Sequence, residues 1–255
     1  MPQVNTARGV IDTADLGVTL MHEHVFILSP DINQNYPEVW GDEAKREADA
    51  LIRLNELKSR GVDSIVDLTV IGMGRYIPRI ARIAAQTDIN IVVATGVYTY
   101  NDVPMYFHFS GPGSPLGEPM VEMFVRDIEE GIAGTAVRAA ILKCATDEPG
   151  VTPGVERVLR AVSQAHRQTG VPISTHTHAA TRRGLEQQRI FAEEGVDLSR
   201  VVIGHSGDTT DLDYLEELVG NGSYIGMDRF GVDVFLSFED RVDTVARMCE
   251  RGHAD

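Results

Sequence analysis

Short apolar runs alternate with amphipathic segments along the whole chain. Seven such runs are typical of buried parallel strands, which are apolar on both faces. They lie at Val18–Leu20, Ser64–Leu68, Ile91–Thr95, Ala140–Lys143, Pro172–Thr175, Val201–Gly204 and Ser223–Met227. The segments between them carry apolar residues at helical spacing, and four of these segments end at a glycine, a common residue at helix C-termini. The alternation predicts seven βα units built on a parallel sheet.

The predicted helices include Glu43–Arg60, Val155–Thr169, Gly184–Glu194, Leu212–Val219 and Glu239–Arg251. One long irregular stretch, Tyr98–Glu118, is rich in Gly, Pro and aromatic residues, and loops of that length are usually functional. A length of 255 residues suits one (β/α)8 barrel, so residues 1–255 are predicted to form a single domain. Seven units leave the barrel one short, and we expect that its eighth βα unit is missing from this sequence.

The amino-acid composition limits the classes of binding partner and the compartments that suit this chain. The net charge of −15 argues against binding to nucleic acid or to anionic membrane surfaces. Two cysteines, Cys144 and Cys249, imply no disulfide framework and suit a reducing compartment. No signal peptide and no apolar run long enough to span a membrane are visible, so the expected location is the cytoplasm.

Histidines cluster at the ends of the predicted strands. His22 and His24 follow the first strand, and residues i and i+2 of an extended segment point to the same side. His176 and His205 end the fifth and sixth strands, where α/β barrels carry their functional residues. A single histidine of this kind is more often packed than ligating, but five of the eight histidines lie at such ends, including His178, which either supports a ligand or faces solvent. The clustering predicts a metal site for zinc, iron, cobalt or manganese.

Three further side chains are candidates for chemistry. Lys143 ends the apolar fourth strand, where an amine is costly unless it is paired or used; a salt bridge, a Schiff base and a carbamate made with CO₂ are all open. Arg229 follows the seventh strand and either orients a substrate oxygen or pairs with its neighbour Asp228. Tyr98, like Tyr100, either donates a hydrogen bond into the site or packs its loop.

The sequence resembles the phosphotriesterase-like lactonases of the amidohydrolase superfamily, especially the actinobacterial members similar to parathion hydrolase. The resemblance covers the whole chain and is carried by six segments: Gly17–His24, Asp67–Arg75, Leu142–Gly150, Gly184–Arg189, Ile203–Asp208 and Asp228–Gly231. It implies a metal-dependent hydrolase with two divalent metal ions, zinc first, with iron, cobalt or manganese as alternatives. It also implies a homodimer.

In the implied centre, His22 and His24 hold one metal, while His176 and His205 hold the other. Lys143, modified to N6-carboxylysine, bridges the metals together with a hydroxide that attacks the substrate. Tyr98 matches a tyrosine that hydrogen-bonds near that hydroxide, and Arg229 matches the arginine of the seventh-strand loop. The implied substrates are N-acyl homoserine lactones, which links the activity to quorum quenching, and related oxo-lactones, with promiscuous hydrolysis of phosphotriesters.

The family pattern has one further ligand, an aspartate in a Ser-His-Asp run at the end of the eighth strand. Asp255 is not its counterpart, because no strand separates it from the seventh helix. Two other functions stay open beside the lactonase. One is an aldolase that forms a Schiff base on Lys143, and the other is a remnant that binds metal without catalysing hydrolysis.

Overall fold

Parallel strands and helices alternate along the chain, which is an α/β protein. The computed structural model describes residues 2–115 and 117–254, so Leu116, in the predicted long loop, and Asp255 lie outside the described residues. The chain divides into two compact units. The first comprises Met1–Tyr98 and Glu122–Leu142, and the second Thr99–Val121 and Lys143–Asp255.

The first unit opens with an antiparallel hairpin that the apolar pattern did not predict. Strand β1 (Gln3–Thr6) pairs with β2 (Gly9–Asp12) across a two-residue turn. Both strands are only four residues long and have little buried surface, so they lack the apolar run by which the other strands were recognised.

Three parallel strands follow in the first unit: β3 (Thr19–Glu23), β4 (Ser64–Asp67) and β5 (Asn90–Gly96). They are hydrogen-bonded in chain order, with Ser64 opposite Thr19 and Asn90 opposite Ser64. Every residue of β4 is buried, as is all of β5 beyond its first residue, which is the expected burial of a parallel strand. The unit boundary falls within β6 (Ile141–Ala145).

Helices connect these strands. They are α1 (Pro30–Asn35), α2 (Pro37–Trp40), α3 (Glu43–Ser59) and α4 (Ile77–Ala84) in the first unit, and α5 (Pro119–Glu129), which crosses the boundary. The long helix α3 starts where Asp42 accepts hydrogen bonds from the backbone N–H groups of Ala44 and Lys45, which satisfies two donors of its first turn.

The second unit repeats the same order. Its parallel strands are hydrogen-bonded in the order β6, β7 (Ile173–His176), β8 (Val201–Ile203) and β9 (Tyr224–Ile225). Its helices are α6 (Pro153–Thr169), α7 (Arg183–Glu193), α8 (Leu212–Gly220) and α9 (Phe238–Glu250). Gly170 ends α6 with φ of 73°, a left-handed conformation in which glycine carries no steric cost.

The seven predicted strands and the five predicted helices are confirmed, with ends that differ by up to a few residues. One difference matters for the chemistry: β6 continues to Ala145, so Lys143 lies at the middle of its strand and not at its end. The predicted loop after Tyr98 contains a 3-10 helix, Met105–Phe109. The single domain and the missing eighth unit stay predictions. Among the helices of the described residues, none has both the length and the apolar composition needed to cross a bilayer.

Candidate metal centre

Two histidines lie at the C-terminal end of β3 in the first unit. His22 is buried within the strand, and His24 follows directly after it. Their ring centroids are 5.8 Å apart and the ring planes are inclined at 66°. Glu23, between them, lies opposite Asp67 of β4. Two imidazoles at this separation form a cluster from which nitrogen ligands can reach a shared ion.

The Nδ1 atom of His24 lies 2.9 Å from the hydroxyl oxygen of Thr69, two residues past the end of β4. The backbone N–H of Thr69 donates to the carboxylate of Asp67 at 3.0 Å. Burial raises the pKa of Asp67 to about 6, although hydrogen bonds from Thr69 and Val25 oppose the rise. The ring of His24 thus contacts the hydroxyl of Thr69, whose backbone in turn is bound by the buried carboxyl group of Asp67.

The second unit has its own pair of histidines. His176 is the last residue of β7, and His205 comes two residues after β8, so both occupy the C-terminal ends of neighbouring parallel strands. Their ring centroids are 4.7 Å apart with planes inclined at 83°, and both side chains are largely buried. The exposed ring of Tyr100 lies 6.2 Å from that of His176.

A carboxylate holds each of these two rings. The Nε2–H of His176 donates to Asp147 at 2.8 Å, and the Nδ1–H of His205 donates to Asp228 at 2.7 Å. Burial lowers the pKa of His176 to about 4, even though Asp147 opposes the shift, and it also lowers the pKa of His205. The hydrogen bond from His176 in turn lowers the pKa of Asp147 to about 2. At neutral pH both rings are therefore neutral imidazoles, each oriented by a carboxyl group, and the neutral imidazole is the state in which histidine binds metals.

Lys143 is fully buried in β6. Burial lowers the pKa of its amine to about 7, with Asp228 opposing the shift and Arg229 adding to it. A substantial fraction of the amine is therefore unprotonated at neutral pH and able to act as a nucleophile. The adjacent thiol of Cys144 is buried as well, and burial raises its pKa to about 12, so the thiolate is suppressed.

Arg229 is paired with a partner other than the one proposed from the sequence. Its Nη1 lies 2.5 Å from the Oδ2 of Asp208, and its guanidinium sits 4.5 Å from the ring centroid of Phe235. The suggested ion pair with the neighbouring Asp228 is therefore wrong for this arginine, and Asp228 binds His205. Asp208 also pairs with the buried Arg241 of α9 at 2.6 Å, which anchors it.

Tyr98 ends the first unit and is half-buried beside the apolar cluster that includes Leu68 and Val70. Its backbone N–H donates to the carbonyl of Ile71 at 2.8 Å. Within the second unit, His178 lies on the turn after β7, where its Nδ1 is 2.8 Å from the hydroxyl of Thr181.

Four residues of these clusters were not singled out from the sequence as functional: Thr69, Asp147, Asp208 and Asp228. Each lies inside one of the segments that carried the family resemblance, which is the signal that could have drawn attention to them. Their roles depend on partners far along the chain: Asp147, for example, binds His176, which comes 29 positions later.

The side chains present suit a divalent metal. Neutral imidazoles and carboxylates are ligands of borderline metals such as zinc, and a lysine amine that is partly deprotonated near pH 7 can be converted into a ligand. The ring centroids of the two histidine pairs are 5.8 Å and 4.7 Å apart, and in both units an oxygen-bearing side chain orients a ring.

Comparison with known proteins identifies the family of this chain. A model of the phosphotriesterase family matches residues 2–255. The chain belongs to the phosphotriesterase family. The phosphotriesterase homology protein of Mycobacterium tuberculosis is 76% identical over 257 residues, which cover 100% of this chain and 79% of that protein. An aryldialkylphosphatase of Saccharolobus solfataricus is 42% identical over 249 residues, which cover 96% of this chain and 76% of that protein.

A solved structure of a family member supports the same assignment. The structure of the phosphotriesterase from Mycobacterium tuberculosis superposes with a TM-score of 0.97 at 76% identity, covering 99% of this chain and 79% of that one. The predicted family is confirmed, and the phosphotriesterase family places this chain among hydrolases.

Proposed function

We propose that this phosphotriesterase-family chain is a metal-dependent lactonase. It would open N-acyl homoserine lactones and related oxo-lactones, which would make it a quorum-quenching enzyme, and hydrolyse phosphotriesters as a side activity. The observation that carries the proposal is the state of Lys143, a fully buried amine whose pKa of about 7 leaves it reactive. The proposal includes the (β/α)8 barrel of metal-dependent hydrolases, one domain over residues 1–255, a cytoplasmic location and a homodimer.

Lys143 would act as a carbamate. Its unprotonated amine attacks CO₂, a new N–C bond forms, one C=O bond becomes a carboxylate oxygen, and the nitrogen releases a proton. The product, N6-carboxylysine, is an anion with two oxygens that can bridge two cations. Burial in β6 supports this reaction, since it favours the neutral amine, and the nearby charge of Arg229 favours the anionic product.

Four histidines would complete the ligand set. His22 and His24 would hold one metal, and His176 and His205 the other, with zinc first and iron, cobalt or manganese as alternatives. Asp147 and Asp228 fix the orientation of His176 and His205, while burial keeps both rings neutral. When bound, the metal pair supplies Lewis-acid activation of a water molecule and of the substrate oxygen.

Other residues would bind and orient the substrate. Arg229 is pre-oriented by Asp208 and Phe235, so its remaining guanidinium donors can hold a carbonyl or phosphoryl oxygen with little loss of side-chain freedom. The Tyr98 phenol would donate a hydrogen bond to the lactone or to the attacking water. In the overall reaction, water adds its hydroxyl to the carbonyl carbon, the acyl–oxygen bond breaks, and the ring oxygen takes the proton.

A Schiff-base aldolase is the second candidate, because the same lowered pKa of Lys143 suits an amine that condenses with a carbonyl. Two measurements separate the candidates: elemental analysis of the purified chain, and turnover of a γ-lactone and a phosphotriester. The lactonase predicts metal in stoichiometric amount and lactone hydrolysis that a chelator abolishes. A metal-free chain that borohydride links covalently to a carbonyl substrate through Lys143 would overturn the lactonase in favour of the aldolase.

A further inference from the structure

A buried arginine in the first turn of α9 binds the loops that follow β8 and β9. Arg241 is 1% exposed. Its Nη1 donates to the carbonyl oxygen of Gly207 at 3.2 Å and to the Oδ1 of Asp208 at 2.6 Å. Its Nη2 donates to the carbonyl oxygen of Val232 at 3.1 Å. Burial of a guanidinium is costly unless it is paired and hydrogen-bonded, and these contacts supply both conditions.

Two of these contacts lead to Arg229. The Oδ2 of Asp208 lies 2.5 Å from the Nη1 of Arg229, so the two arginines bind different oxygens of one carboxylate. Val232 closes the turn that carries Arg229, because its backbone N–H donates to the carbonyl oxygen of Arg229 at 3.1 Å. The single guanidinium of Arg241 therefore fixes both the partner of Arg229 and the turn on which Arg229 stands.

The charges of this group do not cancel. One carboxylate is shared by two guanidiniums, and arginine stays positively charged in proteins. The Arg241 side chain is 1% exposed and depends on Asp208 for its counter-charge, whereas that of Arg229 is 20% exposed. The charge of Arg229 also acts on the candidate metal centre: burial is the main cause that lowers the pKa of Lys143 and of His205, and Arg229 adds to both shifts.

We propose that Arg241 is a positioning residue for substrate binding. It holds Asp208 and the turn of Arg229 in place and takes up part of the carboxylate charge. Arg229 then presents an oriented and only partly neutralised guanidinium to a carbonyl or phosphoryl oxygen. The inference rests on the proposed function to the extent that Arg229 is taken to bind substrate. The orientation of Arg229 can be measured apart from any turnover.

Three substitutions on α9 separate the contributions of Arg241. Arg241→Met keeps an unbranched chain and removes both the charge and the donors. Arg241→Lys keeps the charge, but one nitrogen cannot replace a planar fork that reaches both Asp208 and Val232. Arg247→Met is the matched control, because Arg247 is exposed on the same helix and pairs with Asp243 one turn away.

The experiment is a double-mutant cycle between Arg241→Met and Arg229→Met. In each of the four zinc-loaded full chains, kcat and KM are measured for a γ-lactone and for a phosphotriester, and thermal unfolding reports stability. Crystal structures of the parent and of Arg241→Met report the position of the Arg229 guanidinium relative to Asp208. The cycle distinguishes a residue that acts through Arg229 from one that only stabilises the fold.

We expect kcat/KM to fall about tenfold in Arg241→Met, because the guanidinium of Arg229 is no longer held in place. The loss should be smaller in Arg241→Lys and absent in Arg247→Met. In the Arg229→Met background, Arg241→Met should cause no further loss of kcat/KM, although it should lower the midpoint of thermal unfolding in both backgrounds. The crystal structure of Arg241→Met should show Arg229 displaced from Asp208.

An equal loss of kcat/KM in both backgrounds would show that Arg241 acts only on stability and would overturn the inference. So would a folded Arg241→Met that keeps the contact between Arg229 and Asp208. If Arg241→Met does not fold, Arg241→Lys enters the same cycle and the same structural comparison. If the parent hydrolyses neither substrate, the proposed function fails, and the displacement of Arg229 in the crystal structures alone decides the positioning role.

Discussion

The carboxylate of Asp228 holds His205 at two points: it accepts the Nδ1–H at 2.7 Å and the backbone N–H at 3.1 Å. The backbone of His205 has φ of 59°, a left-handed conformation that a residue with a Cβ adopts at an energetic cost. Asp228 therefore orients the ring and also secures the strained backbone that brings the ring to the end of β8.

The first prediction concerns these two hydrogen bonds from His205 to Asp228. Asp228→Asn keeps the size of the side chain but has one acceptor oxygen, so it cannot serve both N–H groups equally well. We expect zinc affinity to fall by roughly tenfold and the free energy of unfolding to fall by about 1–2 kcal/mol. Chelator competition and urea unfolding measure the two effects. Asp233→Asn, in the exposed segment that follows, is the control. Equal behaviour of the two variants would contradict the role of Asp228.

The second prediction concerns the histidine ligands. His22→Ala and His176→Ala each remove one imidazole from a histidine pair, and each should lose most of the metal of its own site. Elemental analysis of the purified variants measures the loss. His178→Ala is the matched control, because its Nδ1 contacts Thr181 within its own turn, and its metal content should equal that of the parent. Full metal content in both ligand variants would rule out the proposed centre.

Much of the fold follows from the sequence. The strands β4 to β8 can be recognised from the sequence because burial on both faces favours apolar runs, as in β5 (Asn90–Gly96). The hairpin of β1 and β2 escapes because its side chains remain partly exposed and need no such run. The apolar pattern ends β6 at Lys143, because a lysine is usually the polar end of such a run, whereas the structure buries this side chain and continues the strand to Ala145.

The candidate site was predictable as a set of residues but not as a set of contacts. The histidines and Lys143 stand out because they follow or interrupt apolar strands. The partner of Arg229 could not be identified in the same way. The sequence suggests its neighbour Asp228, whereas the structure pairs Arg229 with Asp208, 21 residues earlier. Such pairs form between the ends of adjacent strands, and local sequence patterns carry no information about that distance.

The third prediction concerns the carbamate. In the proposed enzyme, Lys143→Ala would remove the bridging anion and should abolish hydrolysis of a γ-lactone. Adding a short carboxylic acid such as acetate or propionate together with zinc should restore part of the activity, because the acid can occupy the space of the side chain and supply the carboxylate. Initial rates with increasing acid measure the rescue. Lys143→Met, which fills that space with an apolar chain, should not be rescued. Failure of rescue, combined with borohydride trapping on Lys143 of the parent chain, points to the aldolase.

The fourth prediction concerns Tyr98. Tyr98→Phe removes only the phenolic hydroxyl, and the ring should keep its packing beside Leu68 and Val70. Lactone hydrolysis should fall about 10- to 100-fold if the hydroxyl hydrogen-bonds the substrate or the attacking water, and phosphotriester hydrolysis should fall less. Comparing kcat/KM for both substrates in the two proteins tests this selectivity. Equal losses for the two substrates would show that Tyr98 does not distinguish them.

The fifth prediction concerns pH and Asp67. Its pKa is about 6 in the folded chain, because burial penalises the charged form, against an ordinary value of 3.8. Between these values the folded chain binds more protons than the unfolded chain, so the unfolding free energy falls as pH rises through the window. The contribution of protonated Asp67 to the free energy of unfolding is fully present below pH 3.8 and is lost above pH 6. The shift of about two pKa units corresponds to about 3 kcal/mol.

Asp67→Asn cannot ionise and should not show this loss. Relative to the parent, the variant should therefore gain stability between pH 4.5 and pH 7.5, which urea unfolding of both chelated proteins measures. Asp197→Asn is the control, because hydrogen bonds from Ser199 lower the pKa of that exposed carboxyl from its ordinary value of 3.8. Its contribution changes only below that value, so the stability difference between this variant and the parent should stay constant from pH 4.5 to pH 7.5. If the stability difference between Asp67→Asn and the parent stays constant from pH 4.5 to pH 7.5, Asp67 titrates alike in the folded and unfolded chains. In that case its burial does not shape the pH dependence of folding.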